Sequence, residues 1–171
     1  RAAWDRWAGL EWGLLELYAL RQLIDLALYE EDYPTARLHC DALWSHLVRS
    51  PTRFVRITTL FAHESRLRVG LLGVRREGLD AGALERDIRV LDASGMNWGR
   101  AAAASARGQL AGGVEGREIL RGAATLFEDA GQEAHAAAAR AAAGATQDGW
   151  LQAQGVVSPE RFGRMLFPAA P

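Results

Sequence analysis

Apolar residues recur at three- and four-residue steps along nearly the whole chain, and that period confines it to helices packed on helices. In "WDRWAGLEWGLLELYALRQLIDLALYEE", Trp4, Trp7, Leu14, Tyr18 and Leu28 predict a long helix over about 3–31. "EEDYP" then makes a tight polar turn, and Pro34 suits the first turn of the next helix. That helix runs to about 49, with Ala36, Cys40, Leu43, Trp44 and Leu47 inward. In "RSPTR", Ser50 is placed to cap and Pro51 to open a third helix. This helix turns Phe54, Ile57, Leu60, Phe61, Leu67 and Leu71 inward and ends near Arg76, with Gly78 in the left-handed conformation. "RFVRITTLF" is the best strand candidate, but the spacing of its Phe54, Ile57, Leu60 and Phe61 favours helix.

The second half repeats itself. "GALERDIRVLDASGMNWGRAAAASARGQ" aligns with "EILRGAATLFEDAGQEAHAAAARAAAGA" at an offset of 36. Gly95 meets Gly131 and Gly108 meets Gly144; Leu84 meets Leu120, Val90 meets Leu126, and Leu91 meets Phe127. Ala101, Ala102 and Ala103 meet Ala137, Ala138 and Ala139. Each unit reads as a bulky helix, a Gly turn and a small-residue helix. A period in the mid-thirties marks tetratricopeptide-like repeats. "EEDYPTARLHCDALW" has the style of such a unit, except that Glu31 stands where a Gly usually opens the turn. The expected fold is all-α: antiparallel helical hairpins stacked as a tetratricopeptide-like right-handed superhelix with a C-terminal capping helix. It is expected as one domain over 1–171, with long irregular helices in 1–79, two repeats in 80–149 and the cap in 150–171.

A stack of hairpins exposes an apolar face at its last unit, so the terminal element must differ from the rest. "GWLQAQGVVSPERFGRMLFPAAP" suits that task as a lid. Trp150 and Leu151 finish a helix, Gly155 lets it stop, and Val156 and Val157 tuck back. Ser158, Pro159 and Glu160 open a last helix whose Phe162, Met165 and Leu166 form one stripe, and Pro168 ends it. "WLQAQGVVSPERFGRMLFPAAP" resembles the C-terminal end of myxobacterial-type multidomain serine/threonine protein kinases, whose long tails are helical and tetratricopeptide-like; related tails occur on signalling ATPases. "ATLFEDAGQEAHAAAARAAAG" and "ARGQLAGGVEG" are similar to their terminal repeats. The likeness covers roughly 82–171, and the final "LFPAAP" departs from their more usual Gly-Phe ending. It implies a signalling protein with a kinase or ATPase domain upstream, which fits a chain that begins at Arg1 and reads as a fragment.

Composition narrows the functional classes. Net charge is −1, so no global field draws nucleic acid or acidic lipid. No apolar run reaches the roughly 20 residues a membrane span needs. Cys40 is the only cysteine, which excludes an internal disulfide and fits a reducing, cytoplasmic setting. Lys is absent, so none of the Gly-rich stretches can be a phosphate-cradling loop of the Gly-Lys-Ser/Thr type.

Individual motifs point to no chemistry. His39 and His46 are seven apart on one helix, whereas a metal site wants a spacing of four or further partners. Cys40 lacks a third group to orient a Cys–His pair. His63, Glu64 and Ser65 would need a second His at 67 for zinc chemistry, and Leu67 stands there. Catalytic residues, metal and cofactor are therefore expected to be none. Three of the six tryptophans, Trp4, Trp7 and Trp12, share the first helix and read as core or as contacts to helices upstream. The charge map is more informative. Residues 49–76 hold Arg49, Arg53, Arg56, Arg66, Arg68, Arg75 and Arg76 against the single acid Glu64. They either solvate a face by pairing with acids such as Glu30, Glu31 and Asp32, or grip an acidic partner or phosphate.

The expected function is a non-catalytic protein-interaction or sensing module, the C-terminal helical-repeat region of a larger bacterial signalling protein. Its concave groove would bind a protein or peptide, or an upstream domain of the same chain. The alternative is a nucleic-acid or phospholigand binder using Arg49, Arg53, Arg56, Arg68, Arg75 and Arg76, though the neutral total charge speaks against nucleic acid.

Overall fold

The computed structural model describes residues 14–145 and 149–170, which form nine α-helices, two 3₁₀ turns and no strand. The helices are α1 (Leu14–Tyr29), α2 (Tyr33–Arg49), α3 (Arg56–Glu77), α4 (Glu85–Asp92), α5 (Asn97–Ala111), α6 (Gly113–Asp129), α7 (Glu133–Ala142), α8 (Trp150–Ala153) and α9 (Pro159–Leu166). The expected helical stretch before Leu14, with Trp4, Trp7 and Trp12, lies outside the described residues. No described helix is long and apolar enough to cross a membrane.

Local chemistry sets the boundaries. Asp32 accepts a hydrogen bond from the Thr35 amide at 3.1 Å and Pro34 sits in the first turn, so α2 starts where a capped, Pro-opened helix should. Those bonds from Thr35 hold the Asp32 carboxyl below its ordinary pKa. Ser50 caps only the short 3₁₀ turn Pro51–Phe54, and α3 begins two residues later. The expected inward Phe54 is instead 77% exposed on that turn. Thr58 holds the junction by donating to the carbonyls of Thr52 and Val55 at 2.6 and 2.7 Å. At the far end of α3, Gly78 adopts φ 66° and its amide closes on Val74, as a left-handed helix stop does.

Each helix from α1 to α7 packs against the next, and α3 also touches α1 and α5. Residues on every side of α3 are buried, among them Leu60, His63, Glu64, Leu67, Arg68, Leu71 and Leu72, so it runs through the middle of the molecule. The core divides in two. Leu17, Leu20, Ile24, Leu28, Tyr33, Leu43, Leu47 and Leu72 gather around α1 and α2. Leu84, Ile88, Leu91, Leu120 and Phe127 gather with the alanines of α5 and α7 around the second half. There α5 and α6 approach so closely that a Cβ on Gly116 would lie 2.4 Å from the Gly108 carbonyl oxygen. Only hydrogen fits at that crossing.

The closing segment does more than cover one end. Leu151 and Leu166 are buried, but Val157 is 98% exposed, and Ser158 makes no side-chain cap bond to α9. α9 packs against α7, as a lid on the last helix would, and equally against α1 at the other end of the chain. Its Met165 touches both halves of the core.

Candidate functional site

One face of the helix assembly gathers side chains from α1, α3, α5 and α7. A cavity of about 160 Å³ lies there, lined among others by Arg21 from α1, Phe61, Glu64 and Arg68 from α3, Trp98, Ser105 and Gln109 from α5, and His135 from α7. Leu166 and Phe167 of the closing segment line it as well. Periodicity explains the placement: Phe61, Glu64 and Arg68 are three and four apart on α3, hence on one stripe.

Arg68 is the centre of this face and is only 5% exposed. Its guanidinium meets Asp25 at 2.6 Å and Glu64 at 2.5 Å, and Arg21 reaches Glu64 at 3.5 Å. Burial works against the charge on Arg68, but Glu64 and Asp25 more than offset it and raise its pKa. Two cations and two anions thus balance inside the protein, where removing any one would leave an uncompensated charge. His135 stands close by with its ring 5.1 Å from that of Phe127. Burial lowers its pKa to about 4, against the opposing pull of Glu64, so it is neutral at pH 7. Arg21 also lies 4.2 Å over the Phe61 ring, which in turn packs against Tyr18 and Trp98.

The closing segment lies across this face and is held by its main chain. Arg68 donates to the Met165 carbonyl at 3.4 Å and Arg75 to the Pro168 carbonyl at 2.9 Å. The Ala169 amide donates to Gln109 Oε1 at 2.9 Å. Leu166 and Phe167 are buried, and the Phe167 ring meets Phe127 edge-on at 6.1 Å. Arg164 pairs with Glu31 at 2.7 Å, and Glu31 also receives Arg75 at 3.7 Å and Arg76. Glu31 holds φ 55°, the only non-Gly residue described with positive φ. A carboxylate thus sits where the backbone itself would favour glycine.

A second polar cluster lies between α2, α3 and α4. His63 Nδ1 and Asp87 Oδ1 are 2.6 Å apart, both residues are buried, and Arg66 reaches Asp87 at 3.4 Å. Trp44 packs edge-on against His63 at 5.1 Å and lies under Arg66 at 4.1 Å. Cys40 borders a hollow beside Asp87, and burial pushes its thiol up to about 12, so it is not a thiolate at pH 7. The His63–Asp87 pair fastens α3 to α4; the thiol beside it is chemically quiet. Among the described residues no group of three or more His, Cys, Asp or Glu side chains is placed to hold a metal ion.

Most of the arginines of 49–76 are engaged within the chain, and Arg75 and Arg76 meet at Glu31. The turn after Ser50 breaks the spacing that would have aligned Arg49, Arg53 and Arg56 on one helix. Arg53 donates to the Val48 carbonyl at 2.8 Å and stacks on Phe54, while Arg56 bonds the Ser94 carbonyl. Arg66, Arg68, Arg75 and Arg76 are all paired with carboxylates. Arg68 and Arg75 belong to the site, but as ligands of backbone carbonyls. Sequence reasoning missed Arg21, Asp25, Gln109, His135 and Arg164. The one available signal was Glu31, standing where a turn glycine is usual.

The described residues are thus all-helical, and three side chains of this face hold main-chain atoms of the closing segment. Comparison with protein-family models, with curated proteins and with solved structures finds no match for this chain.

Proposed function

We propose that this chain is a non-catalytic, tetratricopeptide-like interaction module that holds a peptide segment on the face shared by α1, α3, α5 and α7. The observation that carries the reading is backbone recognition: Arg68, Arg75 and Gln109 bind two carbonyls and an amide of residues 165–169. Side chains that hold main-chain atoms accept more than one sequence, which is what a peptide-binding surface needs. The repeat architecture is supported by matched positions. Leu84 and Leu120, Leu91 and Phe127, and Ala101–Ala103 and Ala137–Ala139 are buried alike, and Gly95 and Gly131 take φ 69° and 68°. Gly108 and Gly144 do not correspond, since one lies inside α5 and the other in the turn after α7. A stacking of such hairpins into a right-handed superhelix, within a larger bacterial signalling protein, is the setting we propose.

The nucleic-acid or phospholigand alternative is weaker, because four of the seven arginines in 49–76 are already matched by acids. The test uses a fluorescein-labelled peptide of residues 160–170 and the full chain carrying Phe167→Ala, which loosens the resident segment. Fluorescence anisotropy should show saturable micromolar binding, weakened at least tenfold by adding Arg75→Ala. Binding that ignores Arg75 would remove the support for backbone recognition.

A further inference from the structure

We infer that the cavity between α3, α5 and α7 is a small-molecule site. Its ligand is an uncharged, flat heteroaromatic of one ring or two fused rings, with a hydrogen-bond donor and an acceptor on one edge, which is the chemistry of a nucleobase. The cavity is present with the closing segment seated, so this goes beyond the peptide reading and asks no residue to leave its place.

Size, walls, charge and uncommitted polar groups each narrow the occupant. The space is about 160 Å³. An apolar cavity of about 150 Å³ admits benzene, so one ring or two fused rings is the limit. Two aromatic pairs line it. The rings of Phe61 on α3 and Trp98 on α5 lie 5.4 Å apart, and those of Phe127 on α6 and His135 on α7 lie 5.1 Å apart. Such rings favour a flat aromatic guest, which meets them offset or edge-on. The neighbouring charges disfavour an ion. Arg21, Arg68, Glu64 and Asp25 already compensate one another, so a charged ligand would find no counter-charge to spare. The remaining polar groups set the edge. Ser105 Oγ donates to the Ala102 carbonyl, and Gln109 is held by the Ser105 carbonyl and the Ala169 amide. By contrast, the side chains of Gln132 and His135 line the same space with no hydrogen-bond partner among the described residues. Gln132 does not use its side chain to cap α7. His135 is neutral at pH 7, so its imidazole has one donating and one accepting nitrogen, as the carboxamide has one donating and one accepting end. Three residues apart at the start of α7, the two suit a ring edge on which a donor stands beside an acceptor.

Calorimetric titration of the wild-type chain with adenine at pH 7 tests this, beside three probes of similar size. Indole lacks the acceptor, and benzoate and benzamidine carry charge. Adenine should bind with a micromolar constant, and each of the other three at least tenfold more weakly. Because Leu166 and Phe167 line the cavity, saturating adenine should also slow hydrogen exchange of amides 163–167 several-fold. His135→Phe keeps a ring against Phe127 but removes both nitrogens, and should weaken adenine at least tenfold. If circular dichroism shows that variant unfolded, Gln132→Ala takes its place with an expected loss of about fivefold, since its side chain holds nothing else in the chain. No heat and no slowing of exchange with adenine at millimolar concentration would make the cavity a pocket for water only and overturn the inference. So would adenine binding that the folded variant does not weaken, or any of the three probes binding as tightly as adenine. Each of these failures leaves the Arg75-dependent peptide titration as it stands.

Discussion

The two halves of the core reach burial by opposite means. Around α1 and α2 the contacts are made by long side chains such as Ile24, Leu28 and Leu43, each at most 1% exposed. Around α5, α6 and α7 they are made by the near absence of side chains: Ala103, Ala106, Ala136 and Ala139 are fully buried, and Gly108 faces Gly116. The first kind of packing draws its stability from apolar area removed from water. The second lets backbones approach and gains dispersion contacts along whole helices. Truncation should therefore be the costly change in the first region, and enlargement in the second.

The largest effects test that directly. Leu43→Ala should leave a cavity beneath α1 and cost about 2–5 kcal/mol. Ala103→Leu, in the second half, should cost about 1–3 kcal/mol through overpacking. Denaturant titration gives both numbers. If Ala103→Leu is neutral, the small-residue core has slack, and the contrast between the halves collapses.

Legibility in the sequence followed the same division. Helices were readable because burial at steps of three and four is imposed by every neighbouring helix at once. The Ala–Gly segments were readable because only small residues permit their close approach. The 3₁₀ turn after Ser50 was not, since Ser-Pro opens either kind of helix. The candidate site was hidden for a different reason. Arg68, Asp25 and Gln109 lie on three helices, and nothing local in the sequence announces that they converge. Beyond Glu64 one turn away, the partners of Arg68 lie 43 residues back on α1 and in the last turn of α9, which a basic run in the sequence does not reveal.

A smaller, pH-dependent effect separates the halves again, because His135 lies in the second half with its ring against Phe127. Burial lowers its pKa from the ordinary 6.5 to about 4. The unfolded chain therefore binds a proton more readily than the folded one between those values. The stability that neutral His135 contributes is complete above about pH 6.5 and is lost as pH falls toward about 4. Between pH 7 and 5 the loss should be about 1–2 kcal/mol. His46 shifts in the same direction through burial and Arg49, but it contributes from the first half. The melting temperature of His135→Gln should fall less steeply over this interval than that of the wild type. Identical slopes would move the pH response away from the shared face.

The smallest effect on stability, and the most informative for the site, is expected at Glu31. Two terms oppose each other there. The left-handed backbone costs a non-Gly residue about 1–2 kcal/mol, which Gly would relieve. Against this, Glu31 holds Arg75, Arg76 and Arg164, whose side chains are 35–46% exposed, so screening keeps each pair to about 0–1 kcal/mol. Glu31→Gly should therefore leave the melting temperature within a few degrees of wild type, since the two changes nearly cancel. The balance is not uniform in space, however. Backbone relief strengthens the α1–α2 turn, while the lost carboxylate frees Arg164 and with it the start of the closing segment. Amides 163–170 should then exchange several-fold faster by local opening, while those of α1 and α2 exchange no faster. Unchanged exchange in 163–170 would mean that Leu166, Phe167 and the three backbone contacts hold the segment without Glu31.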